Sequence, residues 1–137
     1  MTLEFFPEGA LGTSQATQAA IEAQTVEATY ISPDRAKFSP GVAKAWCRIT
    51  DVGALVAGSY NIASITDTAV GDRTVVFDVD FSNTNYAGFA TLMNETGGAF
   101  NTSHALVGFA VGSIRHTIYN STTLADQDTS VVFFGDQ

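Results

Sequence analysis

The feature that most constrains the fold is an alternation of apolar and other side chains between residues 74 and 81 of this 137-residue chain. Successive side chains of a strand point to opposite faces, so the pattern predicts a strand with one buried and one solvated face. Other short apolar segments with strand-like patterns lie between residue 42 and the end of the sequence and are separated by Gly, Asn and Asp. The predicted strands are 42–49, 59–66, 74–81, 86–92, 104–111, 113–120 and 129–134.

No long helical pattern lies between these strands, so the helical crossovers that parallel strands require are not expected. The sequence therefore predicts a mainly β fold, an antiparallel, jelly-roll-like β-sandwich that covers residues 41–137. Its expected core consists of Trp46, Ile62, Val75, Phe77, Val79, Phe89, Phe109, Ile118 and Phe133.

Residues 1–40 form a second predicted segment, a short helix followed by an extended arm. The helix is expected at residues 14–24, with Thr13 or Ser14 as its N-cap. Pro33 and Pro40 bracket the arm and push the serine before each of them towards extended geometry.

Alanines recur along this helix at positions i, i+3, i+4 and i+7. A face of methyl groups buries little area but permits close approach, and a helix this short is unstable alone. We therefore expect it to dock on this chain or on a copy and to serve assembly. The assembly residues are Ala16, Ala19, Ala20 and Ala23.

The charge of the chain argues against several classes of partner. Its net charge is −8, and only Arg73 and Arg115 provide positive charge after residue 49. A nucleic-acid-binding protein needs a basic stripe, and acidic membranes repel an acidic surface, so neither partner is expected. The charged fraction of 15% lies below the roughly 25% of average domains, which suits a chain that hides surface in an interface.

Residues that could support catalysis are few. Cys47 is the single cysteine and is expected to be a buried side chain. His104 and His116 each lack a second ligand two or four residues away and are expected to be structural. Asp78 and Asp80 would share a strand face about 7 Å apart, a spacing compatible with a glycosidase pair or a Ca²⁺ site, but a solvated face is favoured. We predict no enzymatic activity, no metal and no cofactor.

Two polar loops, residues 94–103 and 121–127, are the candidate receptor-binding surface. Aromatic rings beside amide side chains suit sugars or glycolipid head groups, although ordinary solvated loops carry the same residue types. The candidate binding residues are Asn94, Phe100, Asn101 and Tyr119.

Two blocks of the chain resemble a known family. Residues 16–46 read ATQAAIEAQTVEATYISPDRAKFSPGVAKAW, and residues 59–77 read SYNIASITDTAVGDRTVVF. Their order, a helix leading through an S-P-x-R element into A-K-A-W and then S-Y-N-x-x-S-I-T-D, is similar to that of C-terminal domains of bacteriophage tail-fibre and related virion proteins. Ser39-Pro40 stands where His-Pro is usual, and only about 40 residues precede the β domain.

The resemblance implies a homotrimeric β domain at a virion surface. The expected function is that of a non-enzymatic structural protein, contacting other virion proteins and a host-surface glycan. A capsid decoration or head-fibre protein is the alternative, and a carbohydrate-binding module or a glycan-acting enzyme also remains open. With no signal peptide or membrane span in the sequence, we expect synthesis in the host cytoplasm and a final location in the virion.

Overall fold

The computed structural model describes residues 14–24, 29–93 and 102–137. The fold is mainly β, with 50% strand and 9% helix, which confirms the predicted antiparallel two-sheet class. The chain divides into two compact units, Met1–Val42 and Ala43–Gln137. Each unit has its own packing and is considered separately.

The first unit contains two short helices in its described residues. Helix α1, Gln18–Ala23, begins at Thr17, whose hydroxyl accepts the Ala20 N–H at 3.2 Å. Thr17 rather than Ser14 is therefore the N-cap, and the other predicted cap, Thr13, lies outside the described residues. Helix α2, Pro33–Ala36, starts directly after Ser32, which has the extended backbone expected before a proline. The predicted extended arm is thus wrong over these four residues, because proline at the first helical position favours a helical turn.

The second unit contains eight strands in its described residues, arranged in two antiparallel sheets. A three-stranded sheet has the order β1-β8-β4. A larger sheet has the order β2-β3-β6-β5, with β7 paired to β6. The strands are β1 (Ala45–Ile49), β2 (Ile62–Ala69), β3 (Asp72–Phe77), β4 (Ala87–Met93), β5 (Thr102–Ala110), β6 (Ser113–Asn120), β7 (Thr123–Leu124) and β8 (Asp128–Phe134).

The core lies between the inner faces of the two sheets. Phe77 is its centre, with edge-to-face contacts to Phe81 at 4.9 Å and to Phe133 at 5.1 Å. Tyr86 stacks on Phe81 at 4.2 Å and donates its hydroxyl hydrogen to the Ala110 carbonyl. The buried apolar residues are Ala45, Cys47, Ile49, Val75, Phe77, Phe81, Tyr86, Ile114, Val131 and Phe133.

The predicted core is right for four residues and wrong for four others. Val75, Phe77, Ile118 and Phe133 are buried, and Ile62 is half-buried against the core. The exposed residues are Trp46, Val79, Phe89 and Phe109.

Each error has a local cause. Trp46 and Phe89 lie in strands whose inward positions are the smaller residues Cys47 and Ala90, so the large side chains point outwards. Val79 follows the end of β3 at Phe77 and lies outside the sheet. Gly108 has a φ of 62°, and the register of β5 against β6 shifts there, so the alternation does not continue to Phe109.

No helix within the described residues is long and apolar enough to cross a membrane.

Candidate functional site

The outward-facing side of the three-stranded sheet is unusually apolar. Trp46 of β1, Val132 of β8 and Phe89 of β4 occupy one row, because Val132 pairs with Trp46 on one side and with Phe89 on the other. Trp46 is 45% exposed and Phe89 is 63% exposed. Paired residues on neighbouring strands share a face, so the three side chains project together.

Tyr60 extends this row beyond β1. Its backbone forms an antiparallel bridge with Trp46, in which the Trp46 N–H donates to the Tyr60 carbonyl at 3.0 Å and the Tyr60 N–H donates back at 2.9 Å. Neighbouring strands lie about 4.8 Å apart, so four side chains cover roughly 14 Å across the sheet. We call the exposed side of this sheet, including Tyr60, the aromatic face.

A groove of about 310 Å³ lies on the aromatic face and has Trp46 and Phe89 in its lining. Phe134 makes an edge-to-face contact with Phe89 at 6.3 Å and adds apolar surface beside the groove. Thr91 and Ser130 also line the groove, and the Ser130 hydroxyl lies 3.0 Å from the Met93 sulfur.

Opposite charges are paired at one end of this face. The Arg48 guanidinium contacts the Asp128 carboxylate at 2.7 Å, and the Asp51 N–H donates to the same carboxylate at 2.7 Å. The hydrogen bond from Arg48 lowers the pKa of Asp128 below its ordinary value. Arg48 and Asp128 are the only ionisable side chains at the outward-facing positions of β1, β4 and β8, so the face has no net charge.

The outward-facing side of the larger sheet is more polar, although Val107 of β5 continues its row beyond Arg115. Thr66 of β2 pairs with Thr74 of β3, and Thr74 pairs with Arg115 of β6. Arg115 forms a two-point ion pair with Asp72, at 2.7 and 2.6 Å, which lowers the pKa of that carboxyl group.

The inner face of the larger sheet contains a buried polar pair that the sequence did not predict. Arg73 and His116 are cross-strand partners, and neither is exposed to solvent. Arg73 donates to the Gln127 carbonyl at 3.0 Å and to the Asp51 carbonyl, and contacts Asp126 at 3.4 Å. The sequence signal was available, since Arg73 shares its parity with Val75 and Phe77, but the predicted strand began at residue 74, two residues later than β3.

His116 is buried, and neither of its ring nitrogens has a hydrogen-bond partner. Its ring lies edge-to-face with that of His104 at 5.8 Å. Burial, followed by the positive charges of His104 and Arg73, lowers the pKa of His116 to about 4. It is therefore neutral at physiological pH.

Asp78 and Asp80 are not arranged as the sequence predicted. Strand β3 ends at Phe77, so the two carboxylates lie in the following loop and do not share a strand face, although both are exposed. The Asn61 side chain holds this loop, accepting the Val79 N–H at 2.6 Å and donating to the Val79 carbonyl at 3.1 Å. Among the described residues, no group of three or more His, Cys, Asp or Glu side chains could hold a metal ion.

Cys47 is buried on the inner side of β1, as the sequence predicted. Burial raises the pKa of its thiol to about 12. The thiolate that would act as a nucleophile is therefore scarce at neutral pH.

The candidate receptor-binding residues are only partly described. Asn94, Phe100 and Asn101 lie outside the described residues. Tyr119 is half-buried in β6, where it pairs with Ser103 and Leu124. Receptor binding by this set stays a prediction.

The alanine stripe is not one helical face. Ala16 precedes α1 and is buried, whereas Ala19 and Ala23 are exposed and Ala20 is half-buried. Ile21 is the buried side chain of the helix. The exposed Ala19 and Ala23 still offer a close-approach surface, so their assembly role stays a prediction.

Comparison of this chain with protein-family models, with curated proteins and with solved structures finds no match.

Proposed function

We propose that this chain is a non-enzymatic structural protein of a bacteriophage particle, a tail-fibre-like domain that forms a homotrimer at the virion surface. The observation that supports it best is the aromatic face, because soluble monomers rarely expose contiguous apolar surface unless it binds something. The resemblance of residues 16–46 and 59–77 to tail-fibre domains supplies the biological context.

The oligomeric state is the first test. Light scattering on the full-length chain at tens of micromolar should give three times the chain mass of 14.4 kDa. A chain that stays monomeric would contradict the homotrimer.

The position on the particle is the second test. Electron microscopy of particles labelled with an antibody against this chain should show the label on the tail fibres. A label on the capsid would favour the alternative, a decoration or head-fibre protein, and a label on neither would contradict a virion role.

The N-terminal unit is proposed to fasten the protein to the particle. Removal of residues 1–40 should reduce co-sedimentation with particles while the melting temperature of the β unit changes little. The full-length chain, prepared in parallel, is the control. Equal co-sedimentation of the two would assign the attachment to residues 41–137.

Host recognition is proposed for the loops at residues 94–103 and 121–127. Exchange of the first loop for a Gly/Ser segment of equal length should slow adsorption of the phage to its host. The same exchange in the loop at residues 82–85, which contains no candidate binding residue, is the control. An unchanged adsorption rate would remove the first loop from the binding surface.

A carbohydrate-binding module is the second candidate function, and the adjacent exposed rings of Trp46 and Tyr60 favour it because sugars stack on aromatic side chains. If the chain is a carbohydrate-binding module, it should be a monomer whose Trp46 fluorescence changes when host polysaccharide is added. If the chain is instead a glycan-acting enzyme, it should cleave the polysaccharide, and Asp78→Asn and Asp80→Asn should abolish the cleavage. If the chain has the proposed structural role, no cleavage should occur.

A further inference from the structure

We infer that the aromatic face is the surface through which two copies of this chain contact each other. The inference rests on the proposed self-association and names the surface that carries it. Four features lead to this assignment.

The first feature is composition. The cores of protein–protein interfaces are enriched in aromatic residues and Met and depleted of charge. The aromatic face combines Trp46, Tyr60, Phe89 and Phe134 with Val132 and Met93, and its one cation is paired with Asp128.

The second feature is the charge of the whole chain. Two copies that each carry a net charge of −8 repel each other, and the repulsion acts over about 10 Å at 0.1 M salt. Contact is least opposed where the local surface has no net charge. The aromatic face meets that condition, since Arg48 and Asp128 cancel.

The third feature is the protected edge of β1. An exposed strand edge often recruits a second chain by extending the sheet. Here the segment between residues 54 and 60 covers that edge, with the Val56 N–H donating to the Arg48 carbonyl and the Tyr60 N–H to the Trp46 carbonyl, both at 2.9 Å. A second copy therefore cannot add a strand at β1, so on that side of the sheet contact has to use the face.

The fourth feature is the shape of the face. The groove of about 310 Å³ leaves room for side chains of a neighbouring copy to insert beside Trp46 and Phe89. A sugar would need several polar groups beside the rings, whereas the hydroxyls in the lining belong to Thr91 and Ser130 and the guanidinium of Arg48 already binds Asp128.

Trp46 makes this surface directly observable, because it is the single tryptophan of the chain. Light scattering and tryptophan emission of the full-length chain should be recorded over the same dilution series. Assembly should shift the emission to shorter wavelength and lower the acrylamide quenching constant of Trp46 several-fold. Unchanged quenching in an assembled sample would overturn the assignment without the use of any variant.

Phe89→Glu tests the surface by mutation. It places a carboxylate in the proposed contact and should raise the dissociation constant for self-association at least about 100-fold, because the buried charge has no partner. Thr66→Glu adds the same charge to the exposed face of the larger sheet and should leave the mass of the assembly, measured by light scattering, unchanged. Far-UV circular dichroism of both variants checks that the fold is intact.

The outcomes separate this inference from the proposed function. Assembly that is lost in Phe89→Glu and kept in Thr66→Glu supports the aromatic face. Assembly that persists in a folded Phe89→Glu variant overturns the face and leaves the homotrimer standing. A monomeric full-length chain overturns both the homotrimer and the assignment of the face. If added polysaccharide shifts the Trp46 emission without changing the mass of the protein, the aromatic face binds sugar instead.

Discussion

The two sheets of the second unit share one core but differ in the chemistry of their other sides. The three-stranded sheet exposes Trp46, Phe89 and Val132, whereas the corresponding surface of the larger sheet carries Thr66, Thr74 and the Asp72–Arg115 ion pair. A sandwich needs apolar side chains only on the faces that meet. The aromatic face is therefore not required for the fold of a single copy, which is why we infer a contact outside the unit.

The inner faces differ as well. The three-stranded sheet contributes Cys47, Val131 and Phe133 to the core, and its one buried polar side chain among the described residues is Thr129. The larger sheet contributes Arg73 and His116, whose buried polar atoms are only partly hydrogen-bonded. The unpaired buried histidine is thus found in only one of the two inner faces among the described residues.

The largest expected effect contrasts the core with the aromatic face. Phe77→Ala should lower the free energy of unfolding by about 3–5 kcal/mol, because it leaves a cavity among three aromatic rings. Phe89→Ala, the matched change on the aromatic face, should cost less than about 1 kcal/mol in a monomeric sample. Urea denaturation of both variants at low protein concentration measures the difference. Equal losses would show that Phe89 is buried within a single copy.

Acid should destabilise the protein through His116. The unfolded chain binds a proton near the ordinary pKa of 6.5, while the folded protein does so only near 4, so stability falls as the pH drops between these values and levels off below them. The loss should total about 3 kcal/mol. Urea midpoints measured across this range should follow the loss in the wild-type chain.

His116→Leu should abolish this dependence, because the substituted side chain does not titrate. His104→Gln, the control at the neighbouring ring, should retain most of it. A pH dependence that survives in His116→Leu would mean that another group of the folded protein titrates in the same range.

The smallest effect is expected on the polar side of the larger sheet. Asp72→Asn removes the ion pair with Arg115. It should lower the free energy of unfolding less than Phe77→Ala or protonation of His116 does, and the loss should become smaller in high salt. Because the folded pKa of Asp72 is lowered, its contribution is present above pH 3.8 and is lost as the pH falls through that lower pKa. Asp78→Asn, in an exposed loop, is the control. A loss that is independent of salt would indicate a packing role for Asp72.

Sequence alternation predicted strands better than it predicted faces. Strand β6 was predicted at its observed bounds, Ser113–Asn120, because turn residues flank a clear apolar pattern. Alternation shows which residues share a face, but it identifies the inner face only where the other one is polar. In β1 and β4 each face carries apolar side chains, so alternation alone did not show that Cys47 and Ala90, rather than Trp46 and Phe89, point inwards.

The remaining errors depend on contacts between residues distant in sequence. The position of Val79 is set by hydrogen bonds to the side chain of Asn61, 18 residues earlier, and no local sequence pattern predicts that contact. The aromatic face shows the same limit, since the rows that join Tyr60, Trp46, Val132 and Phe89 exist only once the strands are in register. Its members were visible in the sequence, but their proximity was not.

Trp46 and Cys47 are consecutive residues that point to opposite sides of β1, and each is the single residue of its type in the chain. The strand therefore carries two built-in probes, a fluorophore on its solvent side and a thiol on its core side. Because the buried thiol can react only when the strand opens, its alkylation rate reports the equilibrium for local opening of β1. A partner that covers Trp46 and clamps the strand would slow the reaction at Cys47 without touching the sulfur.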